Sequence, residues 1–418
     1  MHHFQYHGKE LYCEEVPLKK LAEEAGTPCY VYSNATLTRH FDVFEEAFAD
    51  LPHLICFAVK ANSNLAILRL FAKRGGGADI VSGGELFRAR TAGIPANKIV
   101  YSGIGKTASE MKQALQSGIL LFNVESEEEL ITLNRVAKEL GRKAPIAIRV
   151  NPEIDPKTHP YIATGLKKSK FGVSLPTSLL LYQKSRSLPF LEIKGVSTHI
   201  GSQITQVGPF VEALKKVSKL VKNLRHQGFK IDTLDLGGGL GIPYANEKPP
   251  LPEEYGKAMK KELGGLGGTI LLEPGRVIVG NSGVLLTKVL YRKKQGPKDF
   301  VIVDAGMNDL IRPSLYGSHH EIWPVSRKGG AKKKMDVVGP VCESGDFLAQ
   351  ERPLPAVTPG EYLSVMSAGA YGFVMSSNYN SRPRAAEVLV HGNDFFIIRQ
   401  REEYKDLLRG EHVPRFLR

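Results

Sequence analysis

The sequence predicts an α/β protein in which a (β/α)8 barrel is followed by a C-terminal all-β domain. Its 418 residues exceed what one ordinary hydrophobic core holds. From about residue 54, short apolar runs alternate with segments of helical period, a pattern typical of parallel βαβ units. After about residue 280 the apolar runs follow one another across Gly and Pro turns. We therefore expect a barrel over residues 35–280 and a β domain formed by 1–34 and 281–418.

The barrel prediction depends on a count of strands. The apolar runs are LICFAV (54–59), ADIVS (78–82), KIVYS (98–102), ILLFNV (119–124), PIAIRV (145–150), IKGVSTH (193–199), IDTLDL (231–236) and TILLEP (269–274). Candidate helices between them span 64–74, 84–92, 109–116, 126–140, 209–227 and 252–263. Eight repeats favour a TIM-type barrel, in which functional side chains gather at the C-terminal ends of the strands.

The β domain is predicted from five later runs and one early segment. The runs are VLLTKVLY, DFVIVDAG, EYLSVMS, AEVLVHG and FFIIRQ. Segment 28–33 precedes the barrel repeats, and we expect it to pair with this later sheet.

Composition excludes several classes of protein. Apolar residues make up 42% and charged residues 24%, the balance of an ordinary globular chain. The formal charge of +13 comes from scattered lysines, so nucleic-acid binding has little support. Four cysteines without CxxC spacing favour a reducing compartment. With neither a signal-peptide core nor a long apolar stretch, we expect a cytoplasmic protein that binds no membrane.

Polar residues stand at the predicted strand ends, and Lys60 is the first of them. A lysine in partly apolar surroundings can have its pKa lowered by desolvation, which supplies the neutral amine that a Schiff base requires. An exposed or ion-paired lysine is the alternative. The complete set of strand-end groups is Lys60, Ser82, Ser102, Glu125, Arg149, His199, Gly237-Gly238-Gly239 and Glu273.

Two glycine-rich segments resemble phosphate loops. Gly237-Gly238-Gly239-Leu240-Gly241 follows a strand, so its backbone N–H groups could surround an anion, although a simple tight turn remains open. It is not a dinucleotide fingerprint, since Ile242 stands where the third glycine belongs. The segment from Gly103 to Thr107 fails as a P-loop because its first glycine would fall at Val100.

Other candidates have two interpretations each. Glu273, in Glu273-Pro274-Gly275-Arg276, could keep a pyridine nitrogen protonated or could form an ion pair with Arg276. His199 could stack on a flat ring, act as an acid or base, or be a core histidine. Cys342 could be reactive or a buried thiol. A metal site and a serine hydrolase have no support, because neither HExxH nor GxSxG occurs.

Five motifs in this order resemble the alanine-racemase-like, pyridoxal-phosphate-dependent decarboxylases of basic amino acids. The resemblance covers nearly the whole chain. Arg312-Pro313-Ser314-Leu315-Tyr316 and Cys342-Glu343-Ser344 look specifically like the diaminopimelate decarboxylase branch. The five motifs are Phe57-Ala58-Val59-Lys60-Ala61-Asn62, His199-Ile200-Gly201-Ser202, Gly237-Gly238-Gly239, Glu273-Pro274-Gly275-Arg276 and Cys342-Glu343-Ser344-Gly345-Asp346.

The resemblance implies a role for each matching residue. Lys60 would bind pyridoxal 5'-phosphate covalently, Glu273 would hold the pyridinium nitrogen, and His199 would stack on the ring. Cys342 would be the general acid, and the family contributes it across a homodimer interface together with Glu343. Contacts to the cofactor phosphate or the substrate would come from Ser202, Gly238, Gly239, Arg276 and Tyr371.

The implied substrate is meso-diaminopimelate, which would lose one carboxylate to give L-lysine. Its distal amino-carboxylate end needs both charges matched, so Arg276 and Arg312, with Tyr316 in the same motif, are candidates for the carboxylate and Glu343 for the ammonium. Ornithine or arginine would leave those arginines unpaired. Two alternatives remain: an ornithine- or arginine-type decarboxylase, and a catalytically silent cofactor-binding regulatory homologue.

Overall fold

The computed structural model describes residues 2–155 and 169–417. The chain divides into two compact units, one formed by Met1–Leu37 with Gly280–Arg418 and the other by Thr38–Val279. Within the described parts of both units, no helix is long and apolar enough to cross a membrane.

The unit Thr38–Val279 is a closed barrel of eight parallel strands, which confirms the predicted fold class. Neighbouring strands pair in chain order, and the last strand closes on the first through the register Ile270↔His53. A short strand, Val173–Ser174, pairs in parallel with the C-terminal end of the fifth strand. The eight strands are His53–Ala58, Gly77–Ile80, Ile99–Tyr101, Leu121–Val124, Ala144–Asn151, Leu191–Thr198, Thr233–Asp235 and Thr269–Leu272.

A helix follows each barrel strand, and one more precedes the first. Several begin with the expected side-chain caps: Ser82, Thr107 and Ser126 each accept a hydrogen bond from a backbone N–H of the first turn. Leu175–Ser185 was not predicted, because its run of leucines shows no clear helical period. The helices are Asn34–Glu46, Leu65–Lys73, Gly83–Thr91, Ala108–Ser117, Glu127–Glu139, Leu175–Ser185, Gly208–His226, Pro252–Leu263 and Arg276–Val279.

Small and medium apolar side chains from several strands fill part of the barrel interior. Cys56, Val100, Leu121, Ala147 and Leu271 form one fully buried cluster. Because the interior is packed, polar groups can be accommodated only toward the strand ends, where the candidate site lies.

The other unit is an all-β assembly with a few short helices, Leu18–Glu24, Arg312–Tyr316 and Tyr404–Leu407. Cys29–Ser33 runs antiparallel to Gly283–Gln295 and parallel to Ala386–His391, so the early segment lies inside the later sheet. The other strands are Phe4–His7, Glu10–Cys13, Val16–Pro17, Lys298–Val303, Ile322–Pro324, Lys333–Val338, Phe347–Leu354, Tyr362–Val365 and Asp394–Arg399.

Candidate active site

Lys60 lies just past the first barrel strand, in the short 3-10 helix Val59–Ala61. The polar segment after it has a structural purpose: Asn62 Oδ1 accepts a hydrogen bond from the Asn64 backbone N–H at 3.1 Å, and Asn64 caps the helix Leu65–Lys73. The Lys60 side chain is 35% exposed and forms an ion pair with the fully buried Asp79. Lys60 therefore has a fixed position with its amine reachable from solvent.

Asp79 was missed by sequence reasoning because it lies inside the apolar run ADIVS. Only Oδ2 faces Lys60, and Oδ1 is buried without a hydrogen-bond partner in the described part of the chain. Glu85 lies nearby, with its Oε2 accepting a hydrogen bond from the Val81 N–H at 2.7 Å. Burial raises the pKa of Glu85 to about 7, against the opposing effect of that hydrogen bond.

Glu273 follows the last barrel strand and is buried. Burial raises the pKa of its carboxyl well above the usual range, and the nearby carboxyls Asp235 and Asp79 raise it further. Lys60 opposes this shift through its positive charge. Burial and the neighbouring carboxyls therefore favour the protonated form of Glu273, and a cationic ring nitrogen would supply a charge that favours its ionised form.

His199 is held by the glycine loop that follows the seventh strand. The Gly238 backbone N–H donates to His199 Nδ1 at 3.1 Å, so the ring proton of the neutral imidazole belongs on Nε2. Desolvation lowers the pKa of His199 well below its ordinary value, helped by the positive charges of Arg149 and Lys60. His199 is thus a neutral, oriented ring at the barrel mouth.

Glycine is required in that loop by close backbone approaches. A Cβ at Gly238 would lie 2.1 Å from the carbonyl oxygen of Glu273, and one at Gly239 would lie 2.4 Å from the carbonyl oxygen of Gly201. Gly239 also has φ +115°, in the region that favours glycine. The loop is therefore a tight turn packed on the Glu273 and Gly201 segments.

Arg276, Ser202 and Tyr244 form a cationic cluster in the barrel unit. Ser202 Oγ accepts from Arg276 Nε at 3.3 Å and from Nη2 at 3.1 Å, while Nη1 donates to Tyr244 Oη at 2.7 Å. The guanidinium is buried, so an anion bound to it would feel a strong attraction. Tyr244 was missed because it lies three residues beyond Gly241, and no sequence pattern marks it.

Three members of the predicted strand-end set have structural partners. Ser82 caps the helix Gly83–Thr91. Glu125 Oε1 accepts from Arg149 Nη1 at 3.0 Å in a buried ion pair. These residues hold the barrel mouth together.

Cys342 and Glu343 lie in the other unit, on a loop of the β domain. Both side chains are exposed, so Cys342 is not the buried thiol that was one interpretation. The Cys342 N–H donates to Asn380 Oδ1 at 2.8 Å, and Tyr379 Oη donates to Glu343 Oε2 at 3.4 Å. Asn380 and Tyr379 were not predicted, because their contact depends on tertiary structure alone.

The same loop is anchored by Asp346. Its two carboxylate oxygens accept hydrogen bonds from the Met307 and Val341 N–H groups, each at 2.6 Å. Ser314 Oγ donates to the Gly345 carbonyl oxygen at 2.5 Å, which ties the helix Arg312–Tyr316 to the loop. The predicted Arg312 motif and the Cys342 motif are therefore neighbours.

The remaining predicted residues of this unit have defined surroundings. Arg312 is buried and its Nη2 donates to Ser318 Oγ at 3.2 Å, while Tyr316 at the end of the same helix is half-buried. Tyr371 is half-buried with φ +56°, a conformation that non-glycine residues rarely adopt and that often marks functional segments.

Comparison with known proteins assigns the class. The model of the pyridoxal binding domain of pyridoxal-dependent decarboxylases matches residues 34–280. The chain is 53% identical to the diaminopimelate decarboxylase of Aquifex aeolicus over 403 residues, which covers 96% of each chain. The chain therefore belongs to the pyridoxal-dependent decarboxylases, whose cofactor is pyridoxal phosphate.

Solved structures agree at the level of the whole chain. The diaminopimelate decarboxylase of Helicobacter pylori, solved with L-lysine, has 46% identity and a TM-score of 0.91, covering 94% of this chain and 98% of its own. The M. jannaschii enzyme, also solved with L-lysine, has 38% identity and a TM-score of 0.94, covering 99% and 98%. Within its class, the chain belongs to the diaminopimelate decarboxylase family.

The residues of the barrel unit fit this cofactor. Asp79 Oδ1 and Thr198 Oγ1 are buried polar atoms without hydrogen-bond partners among the described residues. A cation would favour the ionised form of Glu273, His199 presents a neutral ring, and Arg276 with Ser202 offers a charge for an anion. An amine, an acid for a ring nitrogen and an anion site thus occur together in one barrel.

Proposed function

We propose a set of residue roles for the decarboxylation of meso-2,6-diaminopimelate to L-lysine and carbon dioxide. The chain is a carboxy-lyase of the diaminopimelate decarboxylase family, and this reaction is the last step of lysine biosynthesis. The observation that carries the residue roles is the buried Glu273 carboxyl in the same barrel as the Lys60–Asp79 pair.

Lys60 would hold the cofactor covalently, and Asp79 would keep the Lys60 nitrogen in place. The ion pair with a fully buried carboxylate limits the positions that the lysine can take, and the partly exposed side chain leaves access for the substrate amine. His199 packs its neutral ring against the cofactor ring. Ser202, Gly238, Gly239 and Arg276 bind its phosphate, with Tyr371 as a further contact.

Glu273 controls the charge of the cofactor ring. Pyridoxal phosphate, when bound, supplies an electron sink for the pair left by the broken bond to carbon dioxide. Glu273 would make that sink effective by keeping a proton on the ring nitrogen, because a neighbouring cation favours the ionised form of this buried carboxyl.

Cys342 donates the proton that replaces the lost carboxylate. Its exposed thiol lies on a loop fixed by Asp346, which suits a group that must reach a substrate atom. Lys60 would also be the residue that holds the cofactor after the product lysine has left. We assign Cys342 and Glu343 to the site of the other chain of a homodimer, on the family's pattern.

Specificity follows from the second charged end of the substrate. Arg312 and Arg276 can offer planar forks to the distal carboxylate, and Glu343 can accept the distal ammonium. Tyr316 and Tyr371 line the substrate path in this proposal. Ornithine and arginine have no distal carboxylate, so binding them would leave an arginine unpaired. We place the enzyme in the cytoplasm, where its sparse cysteines stay reduced.

The test is product analysis with a panel of amino acids. Purified protein with pyridoxal phosphate is incubated in parallel with meso-diaminopimelate, ornithine, arginine and lysine. We expect lysine from diaminopimelate and no turnover of the other three. Turnover of ornithine or arginine would overturn the roles of Arg312 and Glu343, and no turnover at all would favour a silent homologue.

A matched pair of variants sharpens the specificity assignment. Glu343→Gln removes the charge that faces the distal ammonium, so kcat/KM for diaminopimelate should fall by about 10-fold to 100-fold. Glu411→Gln, at an exposed position near the C-terminus, is the control and should have no effect. Equal kinetics for the two variants would remove Glu343 from substrate binding.

A further inference from the structure

Beneath Glu273, five polar side chains form a buried hydrogen-bond network that we call the carboxyl network: Ser102, Asn123, Ser197, Asp235 and Glu273. Each comes from the end of a different barrel strand, and all five are buried. Asn123 Nδ2 donates to Ser102 Oγ at 3.0 Å and to Asp235 Oδ2 at 2.5 Å. Ser102 Oγ in turn donates to Glu273 Oε1 at 3.3 Å.

Asp235 and Glu273 are linked in this network through Asn123 and Ser102, and the negative charge of Asp235 raises the pKa of the neighbouring Glu273 carboxyl. One of the two carboxyls holds a proton, because the ionisation of both would place like charges near each other in a buried site. The question is which of the two holds the proton.

The donors around the two carboxyls differ. Asp235 accepts three hydrogen bonds: from Asn123 Nδ2 at 2.5 Å, from Ser197 Oγ at 3.2 Å and from the Gly237 N–H at 3.0 Å. Glu273 accepts one long bond from Ser102. Hydrogen bonds from fixed donors stabilise a carboxylate, so Asp235 is the ionised member and Glu273 Oε holds the proton.

We propose that Asp235 is a positioning residue that keeps a proton on Glu273 for delivery to the ring nitrogen of the cofactor. In this step the O–H bond of Glu273 breaks and an N–H bond forms, which converts a carboxylic acid and a neutral pyridine into a carboxylate and a pyridinium. Asp235 stays ionised throughout this step. Its negative charge disfavours loss to solvent of the proton that Glu273 and the ring nitrogen share. This inference rests on the proposed role of Glu273.

Other charged groups act on the same proton. Asp79 from the second strand and Asp235 from the seventh favour protonation of Glu273, whereas Lys60 beyond the first strand opposes it. Cys56 on the first strand stays a neutral thiol, because burial raises its pKa well above the usual value. Burial of Glu273 acts in the same direction as Asp235, so both contribute to the proton's stability.

The test is infrared spectroscopy of the cofactor-free full-length protein at pH 7, with glutamate labelled with ¹³C. We expect a protonated carboxyl band that shifts with the label. Glu85, with a pKa of about 7, contributes a part that every variant keeps, and the part that disappears in Glu273→Gln is the Glu273 band. Asp235→Asn removes the neighbouring charge, so this band should be lost or strongly reduced. Asp232→Asn is the control, because Asp232 is exposed at the other end of the same segment and should leave the band unchanged.

A second readout uses pyridoxal phosphate binding. In Asp235→Asn we expect the dissociation constant of pyridoxal phosphate to rise by about tenfold or more. A tenfold change is the effect of a shift of about one unit in the pKa of the proton that Glu273 and the ring nitrogen share. If Asp235→Asn does not fold, Ser197→Ala removes one donor to Asp235 and should shift part of the band from labelled glutamate to labelled aspartate.

Either of two results would overturn the inference: a glutamate band that is the same in the unmodified protein and in Glu273→Gln, or a Glu273 band that is unchanged in both Asp235→Asn and Ser197→Ala. The proposed role of Glu273 fails separately, if Glu273→Gln binds pyridoxal phosphate with unchanged affinity and an unchanged absorption spectrum.

Discussion

The barrel site and the Cys342 loop are built in opposite ways. In the barrel, Asp79, Asp235 and Glu273 are buried, and each side chain is held by partners from other strands. On the loop, Cys342 and Glu343 are exposed, and Asp346 fixes the backbone on either side of them. The barrel therefore presents preorganised side chains, whereas the loop presents a fixed backbone that carries exposed side chains.

This difference shows what each part demands of the chain. A buried carboxyl is stable only with hydrogen bonds or a cation, so the barrel must supply these partners itself. An exposed thiol needs no such hydrogen bonds or cation, so an ordered loop is enough to fix its position. The exposure of Cys342 supports our proposal that it serves the site of a second chain.

The largest effect is expected at Lys60. Lys60→Ala removes the covalent link to the cofactor, and turnover should fall by about 10³-fold or more. The direct measurement is mass spectrometry after borohydride reduction, in which the variant should lack the cofactor adduct. Lys73→Ala, at an exposed position of the next helix, should retain adduct and activity. A normal adduct in Lys60→Ala would remove Lys60 from its role.

The charge of Glu273 should be visible in the pH dependence of stability. Its folded pKa lies above the unfolded value, so its stabilising contribution is complete below about pH 4.5 and is lost as pH rises through the folded pKa. Glu273→Gln has no such loss.

Thermal unfolding of cofactor-free protein at several pH values measures this effect. The difference in Tm between Glu273→Gln and the unmodified protein should grow in favour of the variant from about pH 4.5 upward. A difference that stays constant between pH 4 and 8 would contradict the buried, protonated state of Glu273.

Asp346→Ala tests the backbone anchor of the loop. It leaves the Met307 and Val341 N–H groups without their acceptor, at a cost of about 1–3 kcal/mol for each buried donor. We expect kcat to fall while cofactor binding is unchanged, because the barrel site is intact. Weaker cofactor binding in this variant would contradict the claim that the barrel site binds the cofactor independently of the loop.

The smallest effect is expected at Tyr244. Tyr244→Phe removes one hydrogen bond to Arg276 Nη1, which corresponds to about 0.5–1.5 kcal/mol. The affinity for pyridoxal phosphate should fall by a few-fold, as measured by fluorescence titration. Tyr291→Phe, an exposed position in the β domain, is the control. Identical affinities for both variants would show that Tyr244 does not support the phosphate site.

The sequence predicted the barrel because its strands are apolar runs with polar ends. The same pattern did not identify Asp79 and Asp235 as site residues, because both lie within apolar runs that predict buried strands. Leu175–Ser185 was missed because its leucines lack helical spacing. Lys60, His199 and Glu273 could be found at strand ends, but their protonation states depend on neighbours from other strands. That information is tertiary, as is the pairing of Cys342 with Asn380.

The most direct test of the two-part site is complementation between inactive variants. Lys60→Ala and Cys342→Ala chains are mixed under conditions that allow subunit exchange, and activity is measured together with the oligomeric state. If the sites are shared in a homodimer, each mixed dimer regains one intact site, and activity should recover to about a quarter of the unmodified level. No recovery despite demonstrated exchange would place Lys60 and Cys342 in one chain's site and contradict the account.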